Sequence, residues 1–255
     1  MSDGATTLER SRGPFRKLVA DAGLLEAHVA VLAKPLTPEE AIGTPGRRDF
    51  PIIVGKERVL EASVCGAKGH AFTDSAREFL GTLADVVNLE LTTNQNRAVY
   101  IATLNAVLRH LGIVSATLHC KDDDPEKCAR QIADHLLKKY SRATVGLIGF
   151  NPAIAQRLAD TFAPDHLRIS DLHDANVGQR KFGVEIWDGR ERTDELIDAV
   201  DVVLLTGTTL VNGTFDRIWN RIQAQGKGGL IYGVTAAGVS KLMGIERICP
   251  YARES

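Results

Sequence analysis

The alternation of short apolar runs with amphipathic segments from Ala143 onward most constrains the fold of this chain. Runs rich in Val, Ile and Leu are typical of strands buried on both faces of a parallel sheet. Alternating strands and helices of this kind predict an α/β fold with a Rossmann-like parallel sheet covered by helices. The predicted strands are 145–150, 167–172, 202–206 and 229–233, and the predicted helices are 152–162, 193–199 and 214–225.

The first half of the chain lacks this alternation, and we place a domain boundary near Ser141, which gives domains 1–141 and 142–255. Its mixed pattern predicts an α+β domain. We expect helices at 14–34, 95–110 and 124–140, with Asp124 as the N-cap of the last, a surface loop at 37–49, a hairpin of strands 50–54 and 58–65, and a flexible loop at 66–70.

Composition restricts the class of partner. The 255 residues include 31 Lys and Arg against 32 Asp and Glu, and the net charge of -1 gives no electrostatic reason to expect nucleic acid or an anionic membrane. We therefore expect a small-molecule or metal ligand, and we leave a homo-oligomer open. The four cysteines show no CxxC spacing, and no apolar run approaches the roughly 20 residues of a membrane span. The sequence therefore predicts a cytoplasmic protein with reduced thiols.

Two loops that follow predicted strands are candidate ligand sites, because ligands of open parallel sheets bind beyond the carboxyl ends of the strands. The first loop offers Gly149, Asn151 and Pro152, but it lacks the third glycine of a dinucleotide-binding fingerprint. Asp171, near the end of the next strand, is placed to accept a hydrogen bond from a ribose hydroxyl. The alternative is a plain turn with a capping aspartate.

The second loop, 206–214, concentrates four threonines, two glycines and an asparagine between a strand and a helix. Hydroxyl groups and unobstructed backbone N–H groups can hold an anion or a polar ligand. Capping of the following helix explains one of these residues and not the whole loop. The loop lacks the GK[ST] element of a P-loop. The candidate ligand-binding residues are Thr206, Gly207, Thr208, Thr209, Asn212 and Thr214.

The segment 119–128 places an imidazole, two thiols and four carboxylates within ten residues. Such groups supply both soft and hard metal ligands, and we take Cys120, Asp122 and Glu126 as the candidate metal ligands. The spacing matches no common zinc pattern, so a solvated acidic helix start beside buried thiols is the alternative. Glu57 in the predicted hairpin turn is a further candidate for ligand binding, against the alternative of a solvated charge.

Three motifs carry a family resemblance: HCKDDDPEKCA at 119–129, GFNPAI at 149–154 and TGTTLVNGT at 206–214. They resemble a family of bacterial and archaeal proteins named for heavy-metal chelation, and the resemblance covers nearly all of the chain beyond about residue 35. It implies an N-terminal domain similar to the enolase N-terminal domain, a Rossmann-like C-terminal domain, and metal chelation in the cleft between them.

The preferred hypothesis is therefore a protein that binds a divalent or heavy-metal ion, or a small metal-chelating molecule, between its two halves. Glu57, Cys120, Asp122 and Glu126 would face the two loops, and affinity would fall at low pH because the donors must lose their protons. One alternative is an enzyme that acts on a nucleotide-like or pterin-like compound, with Glu57 or Asp122 as general acid or base. Another is a nicotinamide-dependent oxidoreductase, which Asp171 favours and the incomplete glycine fingerprint disfavours.

Overall fold

The computed structural model describes residues 4–25 and 30–254 of the chain. Within this part, the strands are β1 (Ala30–Leu36), β2 (Arg58–Val64), β3 (Ala67–Thr73), β4 (Phe79–Thr82), β5 (Val145–Ile148), β6 (Leu167–Asp171), β7 (Arg180–Lys181), β8 (Val184–Asp188), β9 (Val202–Thr206), β10 (Gly228–Tyr232) and β11 (Arg247–Ile248).

The helices of the described residues are α1 (Thr7–Asp21), α2 (Pro38–Ile42), α3 (Pro51–Val54), α4 (Leu83–Val87), α5 (Asn94–His110), α6 (Asp124–Tyr140), α7 (Pro152–Phe162), α8 (Thr193–Asp198), α9 (Thr208–Asn212), α10 (Phe215–Ala224) and α11 (Ala237–Met243), with a 3₁₀ turn at Pro164–His166. None of these helices combines the length and the apolar character needed to cross a membrane.

The larger sheet has seven strands in the order β11-β10-β9-β5-β6-β8-β7. All neighbouring strands are parallel except the edge strand β7, which runs antiparallel to β8. Apart from β7, the strands from β5 to β11 follow the strand order of the doubly wound dinucleotide-binding fold, with the topological switch point between β5 and β9. The predicted α/β class with a parallel sheet is thus confirmed, and each predicted strand and helix of this half is present within two residues.

The smaller sheet is antiparallel, in the order β3-β2-β1-β4. Helix α5 covers β2 and β3 and is buried along its whole central part, from Ala98 to Leu108. Helix α6 packs on α7, beside the larger sheet. The domain boundary near Ser141 and the likeness to the enolase N-terminal domain stay predictions.

The structure corrects the prediction of a helix over 14–34. Helix α1 begins earlier, at Thr7, and ends at Asp21, residues 26–29 lie outside the described part, and Ala30–Leu36 forms strand β1. Strand β1 pairs with both β2 and β4, so the backbone hydrogen bonds of two neighbours outweigh the helical spacing of its apolar residues.

The predicted hairpin and loops are also corrected. Residues 51–54 form helix α3 instead of a strand, because Pro51 fits the first helical position. The hairpin is formed by β2 and β3, and the predicted flexible loop 66–70 belongs mostly to β3. Gly69 allows β3 to approach α5, since a Cβ there would overlap backbone atoms of Ala102 and Ala106. The predicted surface loop 37–49 contains the short helix α2.

The side chain of Asn105 joins elements from both halves of the chain. Asn105 lies fully buried in α5, and its Nδ2 donates to the backbone oxygen of His70 in β3 (2.9 Å). Its Oδ1 accepts from the backbone N–H of Gly238 in α11 (2.7 Å), and Nδ2 also lies 3.3 Å from the oxygen of Val234. One amide therefore ties the smaller sheet to the end of the larger one.

Replacing Asn105 should weaken the whole fold. We expect Asn105→Ala to lower the free energy of unfolding by about 2–4 kcal/mol, because it leaves the Gly238 N–H and the His70 carbonyl without this buried partner. Urea denaturation of the two proteins measures the difference.

Thr103 provides the matched control on the same helix. It is fully buried, and its Oγ1 has no hydrogen-bond partner among the described residues. We expect Thr103→Val to change the free energy of unfolding by less than about 1 kcal/mol. Equal losses in the two variants would show that the Asn105 hydrogen bonds contribute nothing specific.

Candidate functional site

A cavity of about 490 Å³ lies where the carboxyl ends of β5, β6, β9 and β10 meet the first half of the chain. The loops after these strands form one side, and α3, the end of β3 and the segment 119–128 form the other. The cavity is at the switch point of the parallel sheet, which is where open α/β sheets bind ligands. Its size is that of a pocket for a small organic molecule.

The structure brings most of the predicted ligand-binding residues to this cavity. They come from the turn before β2, from the segment after α5 and from both predicted loops. The predicted residues on the lining are Glu57, Cys120, Gly149, Asn151, Asp171, Thr206, Gly207, Thr208, Thr209, Asn212 and Thr214. Pro152 lies next to the lining as the first residue of α7.

Asp122 and Glu126 do not line the cavity with Cys120. The Asp122 carboxylate accepts a hydrogen bond from the backbone N–H of Thr44 (2.9 Å), and the Glu126 carboxylate pairs with Arg47 Nε (2.6 Å). The three predicted metal ligands are therefore not brought together. Within residues 4–25 and 30–254, no three His, Cys, Asp or Glu side chains already surround one point as metal ligands would.

Asp124 also has a different role from the predicted one. Asp123 occupies the N-cap of α6 without a side-chain hydrogen bond to the helix, and Asp124 is the first helical residue. The Asp124 carboxylate instead contacts Lys127 at 3.1 Å and Arg253 at 3.2 Å. The carboxylates of Asp122 and Asp124 are thus held by contacts within the fold.

Sequence reasoning missed three residues of the cavity wall that we call, together with Cys120, the thiol end: His119, Cys128 and Cys249. Burial raises the pKa of the Cys120 thiol, and the neighbouring thiols of Cys128 and Cys249 raise it further. Burial and Cys249 raise the pKa of Cys128 to about 12. Cys249 follows Cys128 by more than a hundred residues, so no local spacing predicts their proximity.

His119 adds an imidazole to the thiol end. Its Nε2 lies 3.9 Å from Cys120 Sγ, and its buried Nδ1 has no hydrogen-bond partner among the residues that the structure describes. Burial and the nearby His70 lower the pKa of His119 to about 4, so its ring is neutral at neutral pH. A neutral imidazole has a lone pair available for a ligand.

A network of side chains on β2 and β3 holds His119 in place. His70 Nδ1 accepts from the backbone N–H of His119 (3.0 Å), and His70 Nε2 lies 3.1 Å from Glu61 Oε2. Hydrogen bonds from His70 and Lys68 lower the pKa of Glu61 to about 2. Because Nδ1 accepts, the ring proton lies on Nε2 and points at Glu61.

A second group of lining residues, which we call the acidic end, comprises Glu57, Asp74, Ser170 and Asp171. Asp171 accepts backbone hydrogen bonds from Phe150 (2.6 Å) and His173 (2.7 Å), so its carboxylate fixes the first loop to the end of β6. Glu57 is partly buried, and burial together with Asp171 and Asp74 raises the pKa of Glu57 to about 7.

The predicted second loop contains the short helix α9 (Thr208–Asn212), and its threonines mainly hold its shape. Thr209 Oγ1 donates to the backbone oxygen of Thr206 (2.7 Å), and Thr214 Oγ1 donates to Asn212 Oδ1 (2.7 Å). Gly207 is needed for close packing, since a Cβ there would lie 3.0 Å from the backbone nitrogen of Ala236. The loop therefore presents a rigid edge to the cavity.

Gly149 closes the first loop against the second. Its φ is +89°, and a Cβ at this position would lie 2.5 Å from Thr206 Cγ2. Tyr232 OH donates to the backbone oxygen of Gly149 (2.9 Å), and burial raises the pKa of this tyrosine. The ends of β5, β9 and β10 are thereby held together at the switch point.

The chain matches the DUF364 family over residues 131–244. The family is described as "Putative heavy-metal chelation", and the match confirms the resemblance over these residues, which contain the motifs at 149–154 and 206–214. The DUF364 segment contains both loops of the parallel sheet and leaves out Glu57 and Cys120. No curated protein matches the chain.

Two crystal structures of DUF364 proteins of unknown function resemble the chain. The protein from Pyrococcus horikoshii covers 91% of this chain and 80% of its own, with a TM-score of 0.52 and 14% identity. The protein from Desulfitobacterium hafniense covers 73% of this chain and 72% of its own, with a TM-score of 0.48 and 12% identity. At 14% identity, the likeness to the Pyrococcus horikoshii protein supports the fold of this chain and gives no information about its ligand.

The raised pKa of Glu57 predicts a pH-dependent stability. Between about pH 4.3 and pH 7 the folded chain keeps a proton on Glu57 that the unfolded chain has released, so this contribution to stability falls as the pH rises and stays low above pH 7. Glu57→Gln removes this loss. We expect the free energy of unfolding of the variant, relative to that of wild type, to rise by about 1–3 kcal/mol between about pH 5 and pH 8. Urea denaturation at each pH measures it.

Glu90→Gln serves as the control for this series, because Glu90 is exposed. The free energy of unfolding of this variant should differ from that of wild type by the same amount at every pH. A Glu57→Gln difference that is equally constant would show that Glu57 has an ordinary pKa.

Proposed function

We propose that this protein binds a soft heavy-metal ion, alone or within a small chelating molecule, in the cavity between its two halves. The observation that supports this most is the thiol end: three of the four cysteines of the chain and His119 line the same cavity. The described cysteines are all free. The family description of the DUF364 segment agrees in naming heavy-metal chelation.

The donor types at the thiol end fit a soft ion. Thiolate sulfur and imidazole nitrogen favour zinc, copper(I) and heavier soft metals over magnesium or calcium. Burial and neighbouring thiols raise the pKa of Cys120, so its thiol is protonated when no ion is bound and gives up its proton on coordination. Since no three described side chains already surround one point, the donors must reorient on binding.

The proposed ligand set therefore changes from the sequence-based one. Cys120 stays, while Cys128, Cys249 and His119 take the places of Asp122 and Glu126, whose carboxylates are held by Thr44 and Arg47. If the ion arrives in a small chelating molecule, the remaining volume of the cavity takes the organic part. The part of the cavity that would hold the organic part is lined by Glu57, Asp171 and the loops that begin at Gly149 and Thr206.

A cytoplasmic location is part of this proposal. Thiols that bind a metal must stay reduced, and the cytoplasm keeps thiols reduced whereas secretory compartments oxidise them. The free state of all described cysteines is consistent with such a compartment.

A second candidate function is enzymatic, acting on a nucleotide-like or pterin-like compound. Glu57 favours it, because a carboxyl group in a cavity with a pKa of about 7 suits a general acid or base at neutral pH. The two candidates differ in what copurifies with the protein. Stoichiometric metal supports chelation, and an extracted compound with ultraviolet absorbance and no metal supports the enzyme.

Metal binding is tested with Cd²⁺ as the probe. We expect reduced wild-type protein to bind one equivalent and to develop the ultraviolet absorbance of thiolate-to-metal charge transfer. Cys120→Ser should lose much of this absorbance and weaken binding at least about tenfold, because losing a ligand costs no less than losing an outer-shell partner.

The matched control is Cys65→Ser, since Cys65 is exposed and away from the cavity lining. This variant should bind Cd²⁺ as wild type does. Equal binding by the Cys65 and Cys120 variants would defeat the proposed site, and circular dichroism of each variant checks that it is folded.

A further inference from the structure

The acidic end of the cavity contains a buried hydroxyl that the fold itself does not use. Ser170 is fully buried in β6 and lines the cavity, and its Oγ has no hydrogen-bond partner among the described residues. A buried polar atom without a partner costs about 1–3 kcal/mol, and Ser170, unlike Thr103, is on the cavity lining, where a ligand can supply the partner. This hydroxyl lies beside Asp171 in the chain.

Glu57 is the second group at this end that the fold leaves free. Its surroundings supply burial and the negative charges of Asp171 and Asp74, and no hydrogen bond to its carboxyl group occurs within the described residues. The neighbouring carboxylates are engaged, Asp171 by the backbone of Phe150 and His173, and Asp74 by Asn94 Nδ2 (3.0 Å). Glu57 is thus the carboxyl group available to a ligand.

The charge balance at this end is negative. Of the basic residues on the cavity lining, Arg217 is paired with Asp194, and Lys56 is exposed. The lining of the cavity also has apolar side chains, with Phe50, Phe72 and Ile154 among them. A ligand that suits both features has an apolar body and a positively charged nitrogen group.

We propose that the acidic end is a subsite for the cationic nitrogen group of a small organic molecule, paired with the Glu57 carboxylate and hydrogen-bonded to Ser170 Oγ. Two carboxylate oxygens match the two N–H groups of an amidinium or guanidinium ion, which makes such groups the best partners. The apolar part of the molecule lies against the aromatic and aliphatic wall. This subsite does not depend on metal binding at the thiol end.

Proton exchange accompanies this pairing. A cation favours the ionised carboxyl group, so binding near pH 7 releases a proton from Glu57, and affinity rises from about pH 6 to pH 8. The ionisable groups around Glu57 that enter this balance are Lys56, Asp74, Asp171, His173 and Tyr232.

The test is calorimetric titration of the whole chain with benzamidine, a flat apolar ring that carries an amidinium group. Neutral benzamide, of nearly the same shape, is the comparison ligand, and a metal chelator in the buffer removes any contribution from the thiol end. We expect benzamidine to bind at least tenfold more tightly than benzamide, with an affinity that increases from about pH 6 to pH 8.

Three variants locate the subsite. Glu57→Gln should weaken benzamidine at least about tenfold and remove the pH dependence, and Ser170→Ala should weaken it about two- to tenfold. Glu90→Gln, which removes an exposed carboxylate elsewhere, should bind as wild type does. Circular dichroism and urea denaturation check the fold of each variant.

The outcomes separate this subsite from the metal site. Equal affinities for benzamidine and benzamide, or wild-type binding by Glu57→Gln, would overturn the cationic subsite whatever the protein does with Cd²⁺. Wild-type binding by Ser170→Ala would remove the hydroxyl from it. Selective benzamidine binding in a protein that fails to bind Cd²⁺ would support the subsite and refute the metal site.

Discussion

The arrangement of the site depends on the buried amide of Asn105. Its two hydrogen bonds, to His70 of the smaller sheet and to Gly238 at the end of the larger one, fix the distance between the two halves. The cavity lies beside this joint, since Thr235, whose backbone oxygen is 3.3 Å from Asn105 Nδ2, is part of its lining. His70 takes part in both the joint and the thiol end: its backbone oxygen accepts from Asn105, and its ring accepts from the backbone N–H of His119. A change at the joint should therefore reach the donors of the cavity through β3.

Much of the second half was predictable from the sequence, and less of the first half. Strands such as Val202–Thr206 are buried on both faces, so a short apolar run between helical segments is a distinctive signal. Strand β1 was missed because its pairing with β2 and β4 is a long-range effect. Gly69 predicts a loop by residue type, whereas the structure uses it for the close approach of β3 and α5.

The candidate site was predictable where a rule of topology applied. Gly149 follows β5, Asp171 and Thr206 are the last residues of β6 and β9, and the carboxyl ends of parallel strands meet at one edge of the sheet. The metal ligands were less predictable, because nearness in sequence placed Asp122 and Glu126 beside Cys120 while local contacts turn their carboxylates elsewhere. Cys249 and Ser170 carry no local pattern, and only the folded chain brings them to the cavity.

The central claim is that sulfur at the thiol end binds the ion. The X-ray absorption spectrum of the reduced protein loaded with one equivalent of Cd²⁺ tests it most directly, since it reports the atoms that surround the metal. We predict a first coordination shell dominated by sulfur, with a minor nitrogen contribution from His119. A shell of oxygen and nitrogen without sulfur would contradict the account, because it would place the ion away from Cys120, Cys128 and Cys249.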